Sequence, residues 1–477
     1  MRNSRPSLAR FLPVLLAVPV LSGAARLAPP NVTVGEHLQV IASISLDEAA
    51  PPGGLEITLA SSDPERVLLS GTPDAAGSAT LKLTIRAGFR DSPEYYVQGR
   101  ARSGSATYTA AAPGFTTGSA IVTLAPSGFI LARSGMGLSS LLTTTGAGKT
   151  DLLIHPAVLD TELNFLHPQP LAGGRSVTVK LTNSNPEVGT IPASSITLTG
   201  GSASSTIEFH PRAPGQTILA LGAPHGFTVP SQFSQVAASV VLPGLAISDD
   251  ISIGYNLQTG GALSLGERAP AGGMTVTLTS ANPDKMLLSR SPSEPGSGCI
   301  HLTIAAGGVN ASYFLQSLAT SGAVTYSAEA PGFRSRTATV ALTPSGLVIG
   351  GPQGPPDEAE LLAKEIAEGP HGFVTSLQAD PTVVAAYTVQ LDPITHRGAD
   401  LTVQPVRAGA TIQAVLRNTN SLIGTVKATA MTITGGSYSA VTYFTPLSAG
   451  NTTISIETPS GYTKPANSTS LTVTVKD

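Results

Sequence analysis

Few residues in this chain have both the type and the spacing to do chemistry. Gly146-Ala147-Gly148-Lys149-Thr150 ends like a phosphate-binding loop. That motif needs a glycine where Thr143 stands and a strand-to-helix setting that the flanking residues do not supply, so the stretch reads as an interdomain loop. Ser248-Asp249-Asp250 places two carboxylates side by side, short of the roughly six to eight oxygens that calcium takes. The eight histidines, His155, His167, His210 and His225 among them, lack the spacing of zinc ligands. Cys299 is the only cysteine, so no internal disulfide can form; its alternation with Ile300 and Leu302 puts the sulfur opposite the apolar face of a strand. Neither a Gly-x-Ser-x-Gly elbow nor a His-Glu-x-x-His helix occurs. The expectation is a non-catalytic protein without catalytic residue, cofactor or metal.

One pair of aromatics remains as a candidate binding surface. Tyr95-Tyr96 and Tyr313-Phe314 stand 218 residues apart in otherwise similar surroundings. In a strand, neighbours face opposite ways, so one ring of each doublet enters the core and the other looks outward. Tyr96 and Phe314 are the candidates for stacking on a sugar or peptide. The absence of tryptophan argues against a broad sugar platform.

The elements that must position these rings are strands. Thr107–Phe115 (TYTAAAPGF) recurs as Thr325–Phe333 (TYSAEAPGF), and Thr197–Ser202 (TLTGGS) recurs 235 residues on as Thr432–Ser437 (TITGGS). Two kinds of unit thus alternate along the chain, and repetition at fixed spacing marks a modular array. Each unit carries a strand that runs into an Asn-Pro or Asp-Pro turn (Asp63-Pro64, Asn185-Pro186, Asn282-Pro283), with Asn420-Ser421 in the fourth. Alternation is plainest at Met274, Val276 and Leu278 against Thr275, Thr277 and Thr279. A Gly-aromatic pair follows late in each unit, at Phe115, Phe227, Phe333 and Tyr462. Expected core residues are Leu59, Leu83, Ile85, Val122 and Leu124 in the first unit and Val177, Val179, Leu181, Ile207 and Phe209 in the second.

Turn signals at short intervals and about 100 residues per unit favour an all-β protein of four tandem immunoglobulin-like β-sandwich domains. Residues 1–25 read as a signal peptide, with Arg2, Arg5 and Arg10 before an apolar run from Phe11 to Leu21. The domains are then 26–131, 132–245, 246–350 and 373–477, with a linker at 351–372 in which residues 356–367 have a helical pattern. The Gly/Ser/Thr-rich stretch near 134–150 reads as a flexible junction. At the strand with its Asn-Pro turn, the Pro-Gly-Phe turn, and the Pro-Ser-Gly segments at Ala125–Gly128 and Thr343–Gly346, the chain resembles bacterial immunoglobulin-like repeats of secreted and surface proteins. That resemblance implies a structural spacer or adhesion module, secreted to the periplasm, the cell surface or beyond; the alternative is an accessory polysaccharide-binding protein.

With charged residues at 12%, a formal net charge of −3 and no basic patch, nucleic acid is not an expected partner. After Leu21 no apolar run is long enough to span a bilayer. The expected partner is an extracellular protein or glycan, and the chain itself is expected to be monomeric.

Overall fold

The computed structural model describes residues 26–133, 136–352 and 371–477. The signal-peptide reading for 1–25 and the helix read at 356–367 lie outside the described residues. The chain divides into two compact units, Met1–Val241 and Leu242–Asp477. Among the described residues every regular element is a strand, and the protein is an all-β, multi-domain sandwich.

Four of the sheets have five strands in one order, which follows from the alternating patterns and the turns between them. In the first, Val32–Gly35 is followed across the sheet by Gly118–Ala125, Ser105–Ala111, Leu55–Ser61 and Thr80–Ile85. Its edge strand runs parallel to its neighbour (Val32 opposite Val122), and the other pairs are antiparallel. The same order, with the same parallel edge, is built around Ser176–Asn183, Met274–Ser280 and Thr411–Asn418. The Asp-Pro and Asn-Pro turns do what their chemistry dictates. After Leu55–Ser61 the backbone turns at Asp63, whose carbonyl accepts from the amides of Arg66 and Val67. The chain then crosses to the facing sheet, where Val67–Ser70 pairs with Tyr95–Gly99.

Burial follows the alternation. Leu59, Ile85 and Val122 are fully buried, Leu124 nearly so, and Leu83 packs partly buried against the same cluster. Val179, Leu181, Ile207 and Phe209 are buried in the second core, with Val177 at its margin. Two buried tyrosines span the first core: the Tyr95 and Tyr108 hydroxyls are 2.9 Å apart and Tyr108 donates to the Pro30 carbonyl at 2.7 Å. Tyr313 and Tyr326 repeat the pair at 2.6 Å.

Strand pairing fixes where the chain changes sheet. Ser127–Arg133 pairs with Thr150–Leu159, and Ser345–Gly350 pairs with Thr382–Leu391, so the change falls at Pro126 and Pro344, ahead of residues 131 and 350. The stretch read as a flexible junction is instead part of a sheet: Ser140–Thr144 forms the parallel edge beside Gln235–Val241. Its Ser and Thr residues suit a half-solvated edge as well as a linker, which composition alone does not separate. In the second unit one large apolar cluster runs from Leu245 to Val475 beside a small one at Val348, Val389 and Leu391, whereas the first unit divides its core between two large clusters, with Leu38 buried in the later one.

Candidate functional site

The most constructed polar region of the first unit lies where its two sheet pairs meet, and glutamines build it. Gln39 and Gln98 face each other across adjacent strands, Gln39–Ala42 and Tyr95–Gly99. Their side chains point away from the first core, yet Gln39 is fully buried and Gln98 is 3% exposed, because loops cover them. The Gly173 amide donates to Gln39 Oε1 at 3.0 Å, Gln39 Nε2 donates to the Pro73 carbonyl at 2.7 Å, and Gln98 Nε2 donates to Gln39 Oε1 at 3.1 Å and to the Ala75 carbonyl at 3.0 Å. The Gly77 amide completes the set on Gln98 Oε1 at 2.9 Å. From the other side Gln169 accepts from the Gly35 amide at 3.0 Å and donates to the Thr33 carbonyl at 2.8 Å. Buried amides satisfied in this way fix a register, since any slip strands several polar groups without water.

The second unit contains the same device. Gln316 Nε2 donates to Gln258 Oε1 at 2.9 Å, the Ala408 amide donates to that oxygen at 3.3 Å, and Gln404 bridges the Gly254 amide and the Ser252 carbonyl, each at 2.9 Å.

Two repeated motifs acquire a purpose here. In the Pro-Ser-Gly segments, Ser127 Oγ donates to the Glu36 carbonyl at 2.5 Å and Ser345 Oγ to the Tyr255 carbonyl at 2.6 Å. Cβ atoms on Gly128 and Gly346 would sit 2.4 Å and 2.6 Å from the carbonyl oxygens of Thr228 and Thr463, so only glycine lets these strands close. In the TLTGGS and TITGGS loops, Leu171 donates to Ser202 and Gly201 to Leu171, matched by Val406 to Ser437 and Gly436 to Val406. These turns brace the segment that reaches the neighbouring sheet pair. Phe227 serves the same region: its ring lies 4.8 Å from Phe129 and 5.4 Å from His37.

His37 is half-buried against Arg175, which donates from Nη2 to His37 Nδ1. Burial, then the charges of Arg175, Arg100 and His225, lower the imidazole pKa to about 4. The unfolded chain therefore binds this proton near pH 6.5 while the folded chain refuses it, so the contribution is complete above about pH 6.5 and is lost as pH falls toward 4. Allowing for half exposure, about 1–2 kcal/mol is at stake. In the second unit Asn256 stands in the place of His37 and accepts from Arg407 Nε at 2.8 Å. His37→Asn is therefore expected to flatten the acid limb of the stability curve without opening the junction, as read by urea titrations between pH 4 and pH 7.

The structure places the other sequence candidates as follows. Tyr96 and Phe314 are half-exposed on the outer faces of their strands, beside Ile41 and Gly260, with Tyr95 and Tyr313 fully buried. Each belongs to its own unit. Lys149 is paired with Glu208 and lies 3.6 Å from Asp151, and Thr150 opens a strand, so the residues that resemble a phosphate loop are tied up in strand contacts. Asp249 accepts from the Thr339 amide at 2.8 Å and from Arg336 Nη2 at 3.1 Å, which hold its carboxyl below the usual range and fasten a strand end. Cys299 is exposed, and Thr279 Oγ1 is 3.8 Å from its sulfur. Among the described residues no three His, Cys, Asp or Glu side chains converge as a metal site requires, and no helix is long and apolar enough to cross a membrane.

The site that sequence reasoning missed is the junction cleft. Gln98, Arg100, Gly173, Gly174 and Arg175 line an open hollow of about 490 Å³.

No family model and no curated protein matches the chain. Among solved structures it has weak similarity to a beta-glycosidase from Bacteroides vulgatus (12% identity, TM-score 0.16, covering 45% of this chain and 24% of that one). A glycosyl hydrolase family 2 member from Bacteroides cellulosilyticus is similar at 11% identity and TM-score 0.17, covering 46% and 28%. The matched part is thus about a quarter of those chains, and scores this low assign nothing beyond what the strands themselves define: a multi-domain β-sandwich protein.

Proposed function

We propose that the protein is a secreted, non-catalytic array of immunoglobulin-like sandwiches that serves as a spacer or adhesion module outside the cytoplasm. The observation that supports this most is repetition of the joint as well as of the sheet: both units carry the buried glutamine clamp, and a stiff joint is what a spacer needs. Pulling the full chain from its two ends should give several successive force peaks, with each sandwich of about 100 residues releasing roughly 350 Å of chain. A single event releasing the whole length would contradict the array.

A second reading, accessory binding of polysaccharide, is favoured by the half-exposed Tyr96 and Phe314 at equivalent outer positions. Under that reading, retention of the protein on a glycan array falls when either ring is changed to alanine. Unchanged retention would remove both rings from the account.

A further inference from the structure

The junction cleft of the first unit carries a charge arrangement that the clamp itself does not need. Arg100 and Arg175 both line it, and among the described residues neither has a carboxylate within 4.0 Å. Arg100 donates from Nη1 to the Pro64 carbonyl at 3.2 Å, and Arg175 donates to His37. Each guanidinium carries five N–H donors, so most of theirs are left to solvent or to a ligand. Glu36, the acid whose charge reaches Arg175, is engaged by Arg102 at 3.5 Å. His37 is neutral at pH 7, which leaves the cleft with two like charges drawn together in a partly desolvated place. Folding gains nothing from that proximity.

The second unit supplies an internal comparison. Leu318 stands where Arg100 does and Ala410 where Arg175 does, yet the glutamine clamp is intact there. The joint therefore forms without this pair of cations.

We infer that the cleft lined by Arg100 and Arg175 is a binding site for a carboxylate-bearing sugar. Two guanidiniums facing one hollow suit a carboxylate, which accepts from planar N–H forks. The remaining lining is Gln98, Ser176, glycines and the small side chains of Ala76 and Ala172, with Leu68 as its one large apolar side chain, a surface with little apolar area for the side chains of a peptide and with room for hydroxyl groups. The volume is within the range of small-ligand sites. The inference extends the ligand-binding reading to a second surface and does not rest on Tyr96 or Phe314.

Calorimetric titration of the full chain with trigalacturonate tests it, with the neutral galactose trisaccharide and triglutamate as the other arms. Saturable binding of trigalacturonate is expected, weakened by salt and by Arg100→Gln or Arg175→Gln about tenfold or more, and unmoved by Tyr96→Ala. Arg175→Gln also removes a contact to His37, so melting of both variants is measured; Arg100, whose guanidinium donates to the Pro64 carbonyl and to no side chain among the described residues, keeps the test decisive. No saturable heat at millimolar ligand, or equal binding of the neutral trisaccharide, overturns the site. Tighter binding of triglutamate overturns the sugar assignment. Binding that is lost in Tyr96→Ala but kept in both arginine variants moves the ligand to the aromatic face and dismisses the cleft.

Discussion

Gln39→Leu should destabilise the first unit by about 3–5 kcal/mol. The substitution keeps the side-chain bulk but leaves the Gly173 amide, the Pro73 carbonyl and Gln98 Nε2 without their partner at a fully buried position. Each stranded group costs about 1–3 kcal/mol, and the three costs are not strictly additive. Replacing the exposed Gln216 by leucine should shift stability by no more than about 0.5 kcal/mol. Urea midpoints of the two variants in the full chain make the comparison. Equal, small shifts would mean that the glutamine network holds nothing together.

Gly173→Val should be nearly as severe, for a steric reason. A Cβ at this position would lie 2.1 Å from the Ala75 carbonyl oxygen, backbone that has no flexible end to swing away. The junction must open, breaking the Gly173 bond to Gln39 and admitting water to the amide pair. About 3 kcal/mol, the upper part of the overpacking range, is expected. In the second unit Ala408 occupies the matching place and keeps the bond to Gln258 at 3.3 Å, so that joint accommodates one methyl group, whereas valine in the first unit adds two further carbons against the Ala75 carbonyl. Thermal melting and proteolysis of Gly173→Val read the opening directly, and a variant as stable and protease-resistant as the parent would refute the close approach.

The fold was legible where chemistry is local. Met274, Val276 and Leu278 announced a strand by alternation, Asp63-Pro64 announced its end, and Tyr95 was separable from Tyr96 as the buried member of the doublet. The joint was not legible, because it is made by residues that follow the rule of alternation and then break its usual consequence. Gln39 and Gln98 sit on the outer face beside Ile41 and Tyr96, where polar side chains ordinarily meet water. Only the loops at Pro73–Ala75 and at Gly173, far away in sequence, turn that face into an interior. The Pro-Ser-Gly and Thr-Gly-Gly-Ser segments could be seen to repeat, but a repeat does not say what its glycines approach. Arg100 and Arg175 shared the same obscurity: 75 residues apart, they became a pair only through the joint. The Gly/Ser/Thr composition of 134–150 pointed to a linker because edge strands and linkers draw on the same residues.

Amide hydrogen exchange on the full chain tests the central claim most directly. The amides of Gly35, Gly173 and Gly254 donate to glutamine side chains at the joints. If the sheet pairs are locked by those glutamines, these three exchange as slowly as amides within the central strands, such as Leu59 and Leu278. If they exchange as fast as the exposed turn at Gly114, the joints open freely and the clamp does not hold.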